Sequence, residues 1–268
     1  MRALLASPFG FLIGLALGAV GGGGSILAVP VLVYVAGEEP RVATTTSLVV
    51  VGIAAAIGMT GHHRAGRVRV RAGVTFGLAG VGGSVGGSAL NDRIDGDVLL
   101  LAFSALIVVA AWRMVTACPS CTREGERMNL GNTLPRSEAR LRADPHTVAT
   151  FVGAGTVVGF FTGLFGVGGG FIIVPALTLL LTFTMPEAIG TSLLIISINS
   201  AVALATRVGT TGIPWRVTVP FAVASVVGVT IGARVADRLP ARTLLRWFAG
   251  LLVAVACYTA VSSALALV

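Results

Sequence analysis

Long apolar stretches separated by short polar turns run through most of this chain. They cover roughly residues 9–36, 42–60, 72–90 and 98–117 in the first half, and 148–183, 187–206, 215–234 and 243–265 in the second. A helix that spans the hydrocarbon core of a bilayer needs about 20 apolar residues, and the last three stretches of each half fit one crossing. The pattern therefore predicts an all-α integral membrane protein.

The first apolar stretch of each half is too long for one simple helix, and a glycine run interrupts it. The run is Gly21–Ser25 in the first half and Gly166–Gly170 in the second, and a proline follows each. Glycines free backbone N–H and C=O groups, which a membrane tolerates only where protein buries them or a watery cavity meets them. We expect either a tilted helix with an unwound centre or a re-entrant hairpin, with a new helix beginning near Ser25 or Gly170.

The two halves repeat each other at a constant offset of 145 residues. Residues of the first half with an identical partner at that offset include Gly14, Gly18, Gly21, Gly23, Gly24, Val29, Pro30, Leu32, Thr46, Ser47, Leu48, Gly83, Gly87, Asp92 and Arg93. The match predicts two homologous halves, each with a Gly-broken or re-entrant first segment and three transmembrane helices. We place the first repeat at 1–117, a polar linker at 118–146 and the second repeat at 147–268.

Arginine-rich loops predict the orientation, because short cytoplasmic loops carry an excess of positive residues. The loop at 61–71 and the linker at 118–146 are both rich in arginine, so we assign both to the cytoplasm. In the second half the arginines concentrate instead at 234–246, one loop later. That shift favours inverted repeats with an odd number of crossings per half. A parallel four-plus-four arrangement is the alternative.

The composition excludes an ordinary soluble enzyme. Of the 268 residues 55% are hydrophobic and 11% are charged, whereas a soluble domain carries about 25% charged residues. The net charge is +8 and all nineteen basic residues are arginine, but they lie in short loops between apolar stretches, so we expect no nucleic-acid partner. We expect a multi-pass protein of the cell (inner) membrane. We expect the lipid bilayer to surround it, and we expect no cofactor. A homodimer is possible from the sequence.

The doubled glycine pattern resembles that of the TauE/SafE family of sulfite exporter-like membrane permeases. That family repeats a G-x-x-x-G-x-x-G-x-G-G-G-x-x-x-x-P pattern followed by A-x-x-T-S. Here the first copy contains Gly14, Gly18, Gly21, Gly23, Gly24, Pro30, Ala43, Thr46 and Ser47, and the second Gly159, Gly163, Gly166, Gly168, Gly169, Gly170, Pro175, Ala188, Thr191 and Ser192. Ser25 stands where the second copy has Gly170. The resemblance implies passage of sulfite, sulfoacetate or a related sulfur-containing or organic anion.

The residues themselves also suit an anion. A helix N-terminus offers free N–H donors and a partial positive charge, and successive backbone N–H groups can form a concave nest. The expected substrate-binding residues are Gly22, Gly23, Gly24, Ser25, Thr46, Ser47, Gly168, Gly169, Gly170, Thr191, Ser192 and Asn199. The alternative for the hydroxyl residues is that they bond their own helix carbonyls or join helices. Because these motif helices carry few charges, we expect neutral donors to hold the anion.

We therefore expect a membrane permease, in the first instance an exporter working by alternating access, and not an enzyme. A passive anion channel on the same fold is one alternative. The other is a membrane redox sensor that uses the C-x-x-C of Cys118 and Cys121 in the linker. A closed zinc site needs about four ligands, and the sequence offers no such set, so we predict no metal.

Overall fold

The computed structural model describes residues 2–91, 145–165, 170–179, 183–207 and 213–239, with isolated positions 108, 109, 112, 181, 243, 246, 247, 250 and 253. The first half contains α1 (Arg2–Val20), a 3₁₀ segment (Gly22–Leu27), α2 (Ala28–Tyr34), α3 (Pro40–Arg64) and α4 (Val70–Asn91). The second contains α5 (Pro145–Phe165), α6 (Gly170–Leu179), α7 (Met185–Arg207) and α8 (Trp215–Arg238). Every element in these ranges is helical, which confirms the all-α prediction.

Three described helices, α3, α7 and α8, are long and apolar enough to cross a membrane. Large apolar side chains remain exposed on the outside of α4 and α8, where they recur one helical turn apart. They are Val74 and Leu78 on α4, and Val219, Val223, Val227 and Ile231 on α8. An apolar outer face of this kind suits contact with lipid tails, so the composition and the surface agree on a membrane protein.

The helix before the first glycine run ends at the run itself. Val20 is the last residue of α1, and Gly21 adopts a φ of 76°, a left-handed conformation that glycine takes without a steric penalty. A Cβ at Gly24 would lie 2.6 Å from the carbonyl oxygen of Ile13 and 2.6 Å from the amide nitrogen of Leu17. The segment after Gly21 therefore folds back along α1. In the second half α6 begins at Gly170, whereas in the first half a 3₁₀ segment precedes α2.

Glycines set both the partners and the directions of the longest helix contacts. A Cβ at Gly10 of α1 would lie 2.9 Å from the carbonyl oxygen of Phe221, and Gly14 meets the backbone of Ser225 one turn later, so α1 and α8 run parallel. Helix α4 packs in the same way against α5. Each half thus contributes a helix to the other half, an exchange that the sequence pattern does not reveal.

These helix contacts recur at the 145-residue offset. The pairs in the α1–α8 contact are Gly10 with Phe221, Gly14 with Ser225, Phe11 with Gly228, and Leu15 with Gly232. The pairs in the α5–α4 contact are Gly155 with Phe76, Gly159 with Gly80, Thr156 with Gly83, and Phe160 with Gly87. Each member of the second set lies 145 residues from its equivalent in the first, with the halves exchanged. Glycine-rich α4 therefore serves close helix packing, as its sequence predicts.

Helices α3 and α7 occupy equivalent positions in the two halves and run antiparallel. A Cβ at Gly52 would lie 2.9 Å from Cβ of Ser200, and one at Gly58 would lie 3.3 Å from Cδ1 of Leu193. Later residues of α3 therefore meet earlier residues of α7. The beginnings of α3 and α7, which carry the repeated Thr-Ser pairs, lie at opposite ends of this helix pair.

Candidate functional site

The two glycine runs meet where the halves join. The backbones of Gly22 and Gly170 are in direct contact. A Cβ at Gly170 would also lie 2.5 Å from the hydroxyl oxygen of Ser25, and a Cβ at Gly21 would lie 2.7 Å from that of Ser192. Four elements thus converge on one point, namely the 3₁₀ segment, α6, the end of α1 and the middle of α7.

Two serines at this point bond their own backbone. The Ser25 hydroxyl donates to the carbonyl oxygen of Gly22 at 2.7 Å, and the Ser192 hydroxyl donates to that of Ile189 at 2.8 Å. The local alternative considered for such residues is therefore confirmed for both. Each hydroxyl oxygen retains acceptor capacity, since a hydroxyl has two lone pairs.

Thr191 takes part in a buried cluster that joins the two halves. Its hydroxyl oxygen accepts the backbone N–H of Arg69 at 3.1 Å. The Arg69 guanidinium forms an ion pair with Glu187, in which Nε lies 2.8 Å from Oε1. Thr184 donates both its backbone N–H (3.1 Å) and its hydroxyl (2.9 Å) to Oε2 of the same carboxylate. Arg69 precedes α4 and Glu187 lies in the first turn of α7, so the cluster ties the α3–α4 turn to the second half.

A buried ion pair thus lies beside Thr191, one of the residues of the predicted anion site. Arg69 and Glu187 are 4% and 5% exposed. In the sequence Arg69 looks like one more cytoplasmic loop arginine, and its partner is 118 residues away. One signal was available, since Glu187 is the only charged residue between 147 and 206. A lone charge on a membrane helix usually has a partner.

Thr46, the equivalent of Thr191 in the first half, has different surroundings. It is fully buried, and its hydroxyl has no hydrogen-bond partner within the described part of the chain. The Glu38 carboxyl lies close to it, in the turn between α2 and α3. Ser47 is also buried, at 7% exposure. The equivalent of Arg69 is Pro214, which has no N–H to donate.

Asn199 lies farther along α7, on the side that contacts α4. A Cβ at Gly77 would lie 3.8 Å from its Oδ1, and one at Gly80 would lie 4.0 Å from its Nδ2. Oδ1 is buried and has no partner among the described residues. Within the predicted set, Gly22, Ser25 and Gly170 come together, Ser192 lies against the adjacent Gly21, and Gly23 and Gly24 lie in the same 3₁₀ segment. Thr46 and Thr191 lie toward opposite ends, whereas Gly168 and Gly169 lie outside the described residues.

The linker prediction also lies outside the described residues, since Cys118 and Cys121 fall between 113 and 144. In the part of the chain that is described, no three His, Cys, Asp or Glu side chains gather as metal ligands.

Comparison with known proteins identifies the relatives of this chain. The profile of the family described as Sulfite exporter TauE/SafE matches residues 6–259. A "Probable membrane transporter protein" of Xylella fastidiosa is 34% identical over 252 residues, which cover 93% of this chain and 91% of that protein. The "Probable membrane transporter protein YunE" of Bacillus subtilis is 22% identical over 261 residues, covering 95% and 93%. No solved structure matches.

Proposed function

Since the chain belongs to the TauE/SafE sulfite exporter family and is a membrane transporter rather than an enzyme, we propose that it moves a small sulfur-containing or organic anion, such as sulfite or sulfoacetate, across the cell (inner) membrane. The observation that carries this proposal is the meeting of the two glycine runs at Gly22 and Gly170. Broken helices that meet between repeats are typical of transporter binding sites near the bilayer midplane.

Backbone N–H groups are the proposed ligands of the anion. Helix α6 begins at Gly170, so its first N–H groups have no partner within the helix, and Gly170 itself contacts Gly22. The partial positive charge of a helix N-terminus favours an anion there. The hydroxyl oxygens of Ser25 and Ser192 border the same point. Weak capture by neutral groups suits a site from which the anion must also leave.

We propose that the halves are inverted repeats in the membrane. Helices α3 and α7 are equivalent at the 145-residue offset and run antiparallel, so the rotation that exchanges them reverses the helix direction. If α3 spans the bilayer, that rotation axis lies in the membrane plane. The turn at 65–69 and the linker at 118–146 would then lie on the cytoplasmic side, as their arginines favour.

The proposed transport cycle is alternating access, in which one half rocks against the other. The backbones of Gly22 and Gly170 touch directly, so they must separate before an anion can lie between them. A passive anion channel would instead hold a continuous path open. Counterflow distinguishes the two, because only a carrier accelerates uptake of labelled anion when unlabelled anion is loaded inside.

The test is a flux screen in liposomes with sulfite, thiosulfate, sulfoacetate, sulfate and simple carboxylates. Gly170→Ala should strongly reduce flux of the transported anion, because the added methyl would fall 2.5 Å from the Ser25 hydroxyl and 2.7 Å from the Gly22 carbonyl oxygen. Gly153→Ala is the matched control, since no atom lies within 4 Å of a Cβ there. Equal flux in the two variants would contradict a site at the glycine contact.

The remaining alternative, a redox sensor, is separable by a simple variant. Replacing Cys118 and Cys121 by serine should leave anion flux unchanged if the protein is a permease. Loss of flux in a protein that still elutes as a single folded species would instead favour a role for the C-x-x-C.

A further inference from the structure

Glu38 lies in the short turn that joins α2 to α3. Its backbone N–H donates to the carbonyl oxygen of Leu32 at 3.0 Å, which holds the turn against the end of α2. Both carboxylate oxygens are buried, and neither has a hydrogen-bond partner among the described residues. Glu39, the next residue, is exposed. Two adjacent glutamates in one turn therefore have opposite environments.

In the second half the buried carboxylate of Glu187 has hydrogen-bond partners. Glu187 receives two hydrogen bonds from Arg69 and two from Thr184, next to Thr191. The Thr46 hydroxyl lies close to Glu38, and that hydroxyl also lacks a partner among the described residues. Pro214 occupies the position equivalent to Arg69, so the Arg69–Glu187 contact has no counterpart at the 145-residue offset.

A carboxylate whose oxygens are buried without a hydrogen-bond partner favours its neutral form. Burial raises the pKa of Glu38 above its ordinary value, and the nearby Thr46 hydroxyl offsets a part of that rise. The turn and helices α1, α2, α3 and α8 carry the following titratable and charged residues: Arg2, Tyr34, Glu39, Arg41, His62, His63, Arg64, Arg216, Arg234, Asp237 and Arg238. Glu39 and Arg216 are exposed, so solvent screens both from the Glu38 carboxyl.

We propose that Glu38 is a proton-binding site that couples anion movement to a proton, an inference that rests on the proposed function. One Glu38 oxygen takes a proton from the solution on one side of the membrane and releases it on the other. The neutral acid can donate a hydrogen bond, and it removes a negative charge from the surroundings of Thr46, which belongs to the predicted anion site. An anion and a proton then travel in the same direction.

The first experiment measures protonation without transport. Infrared difference spectra of the purified protein, titrated with pH, should contain a carboxylic acid C=O band that persists to higher pH than that of an exposed glutamate. Glu38→Gln should remove the band, and Glu39→Gln should leave it in place. A band that survives in Glu38→Gln, or no such band in the parent protein, would overturn the assignment whether or not any tested anion is carried.

The second experiment measures coupling in liposomes, with the membrane potential clamped at zero. Sulfoacetate is the probe, because both of its acidic groups stay ionised near neutral pH and the gradient therefore acts on the protein. With one proton per anion, a gradient of one pH unit should accumulate sulfoacetate about tenfold. Glu38→Gln should reduce that ratio to one, whereas Glu39→Gln should keep it. Accumulation driven by a Na⁺ gradient, or an unchanged ratio in Glu38→Gln, would overturn the proposal.

The two experiments fail in different ways. If sulfoacetate does not move at all, the proposed substrate class is in question while the infrared titration still decides the state of Glu38. If sulfoacetate moves without a dependence on pH in any variant, the permease proposal stands and the coupling role of Glu38 falls.

Discussion

Helices α3 and α7 each carry the same Thr-Ser pair near their beginning, at opposite ends of the helix pair. The two Thr-Ser pairs differ in the residues that surround them. Around Thr191 the protein supplies its own cation, because Arg69 crosses from the other half to Glu187. Around Thr46 a carboxylate is buried, and a proline stands in the place of the arginine. The duplicated frame thus has one end tied by an ion pair and one end with a buried carboxylate, for which we propose a proton-binding role.

This difference separates two roles within one scaffold. The features shared by both halves are the glycine contacts between helices, and the halves meet at Gly22 and Gly170. The charged side chains at the two ends of the α3–α7 helix pair, by contrast, have no equivalent in the other half. If the halves move against each other, breaking the Arg69–Glu187 contact should cost more than opening the other end, since separated charges in a buried site are expensive.

Removal of the carboxylate at the tied end should have the largest effect on stability. Glu187→Gln leaves the Arg69 guanidinium buried without its counter-charge, which should cost about 3–5 kcal/mol of unfolding free energy. Thermal unfolding in detergent, followed by size-exclusion chromatography, measures this. Glu39→Gln changes an exposed carboxylate and should leave the unfolding midpoint in place. A midpoint shift equal to that of Glu39→Gln would mean that the ion pair does not hold the halves together.

Replacing equivalent glycines of the two halves by alanine should destabilise the protein by equal amounts. Gly14 and Gly159 meet the backbones of Ser225 and Gly80 at equivalent positions, so an alanine at either should cost about 1–3 kcal/mol through overpacking. Gly153→Ala places its methyl in open space and should cost nothing, since alanine favours a helix by about 1 kcal/mol over glycine. Clearly unequal costs at Gly14 and Gly159 would contradict an equivalent packing of the two halves.

Replacing Thr46 or Thr191 should produce the smallest difference in stability. Thr191→Val leaves the buried N–H of Arg69 without an acceptor and should cost about 1–2 kcal/mol. Thr46→Val removes a hydroxyl that has no partner among the described residues, so its effect on stability should be close to zero. Unfolding curves of the two variants, collected side by side, make the comparison. A larger loss for Thr46→Val would show that its hydroxyl carries a bond essential to the fold.

Local chemistry made part of this structure predictable. Glycine destabilises a helix, so four successive glycines explain the end of α1 at Val20. The same holds for Ser25 and Ser192, whose hydroxyls bond a carbonyl three residues back. The 145-residue offset in the sequence reappears as an offset in the helix contacts.

Partners that lie far apart in the chain were not predictable from these patterns. An apolar period identifies a helix but not its neighbour, so the pairing of α1 with α8 had no sequence signal. Arg69 resembles the other arginines of its loop, and only the folded chain brings it to Glu187. Burial of the Glu38 carboxylate depends on how the turn between α2 and α3 packs, which the sequence pattern does not show.

The exchange of helices between the halves also has a consequence for synthesis. Helix α1 ends at Val20, and α8, which fills its glycine-lined side, begins only at Trp215. At a synthesis rate of about 5–20 residues per second, α1 must wait roughly 10–40 s for that partner. During this interval the grooves over Gly14 and Gly18 face lipid or the insertion machinery. The newly made first half therefore exposes the side of α1 that α8 later covers, and this contact forms only after α8 has been synthesised.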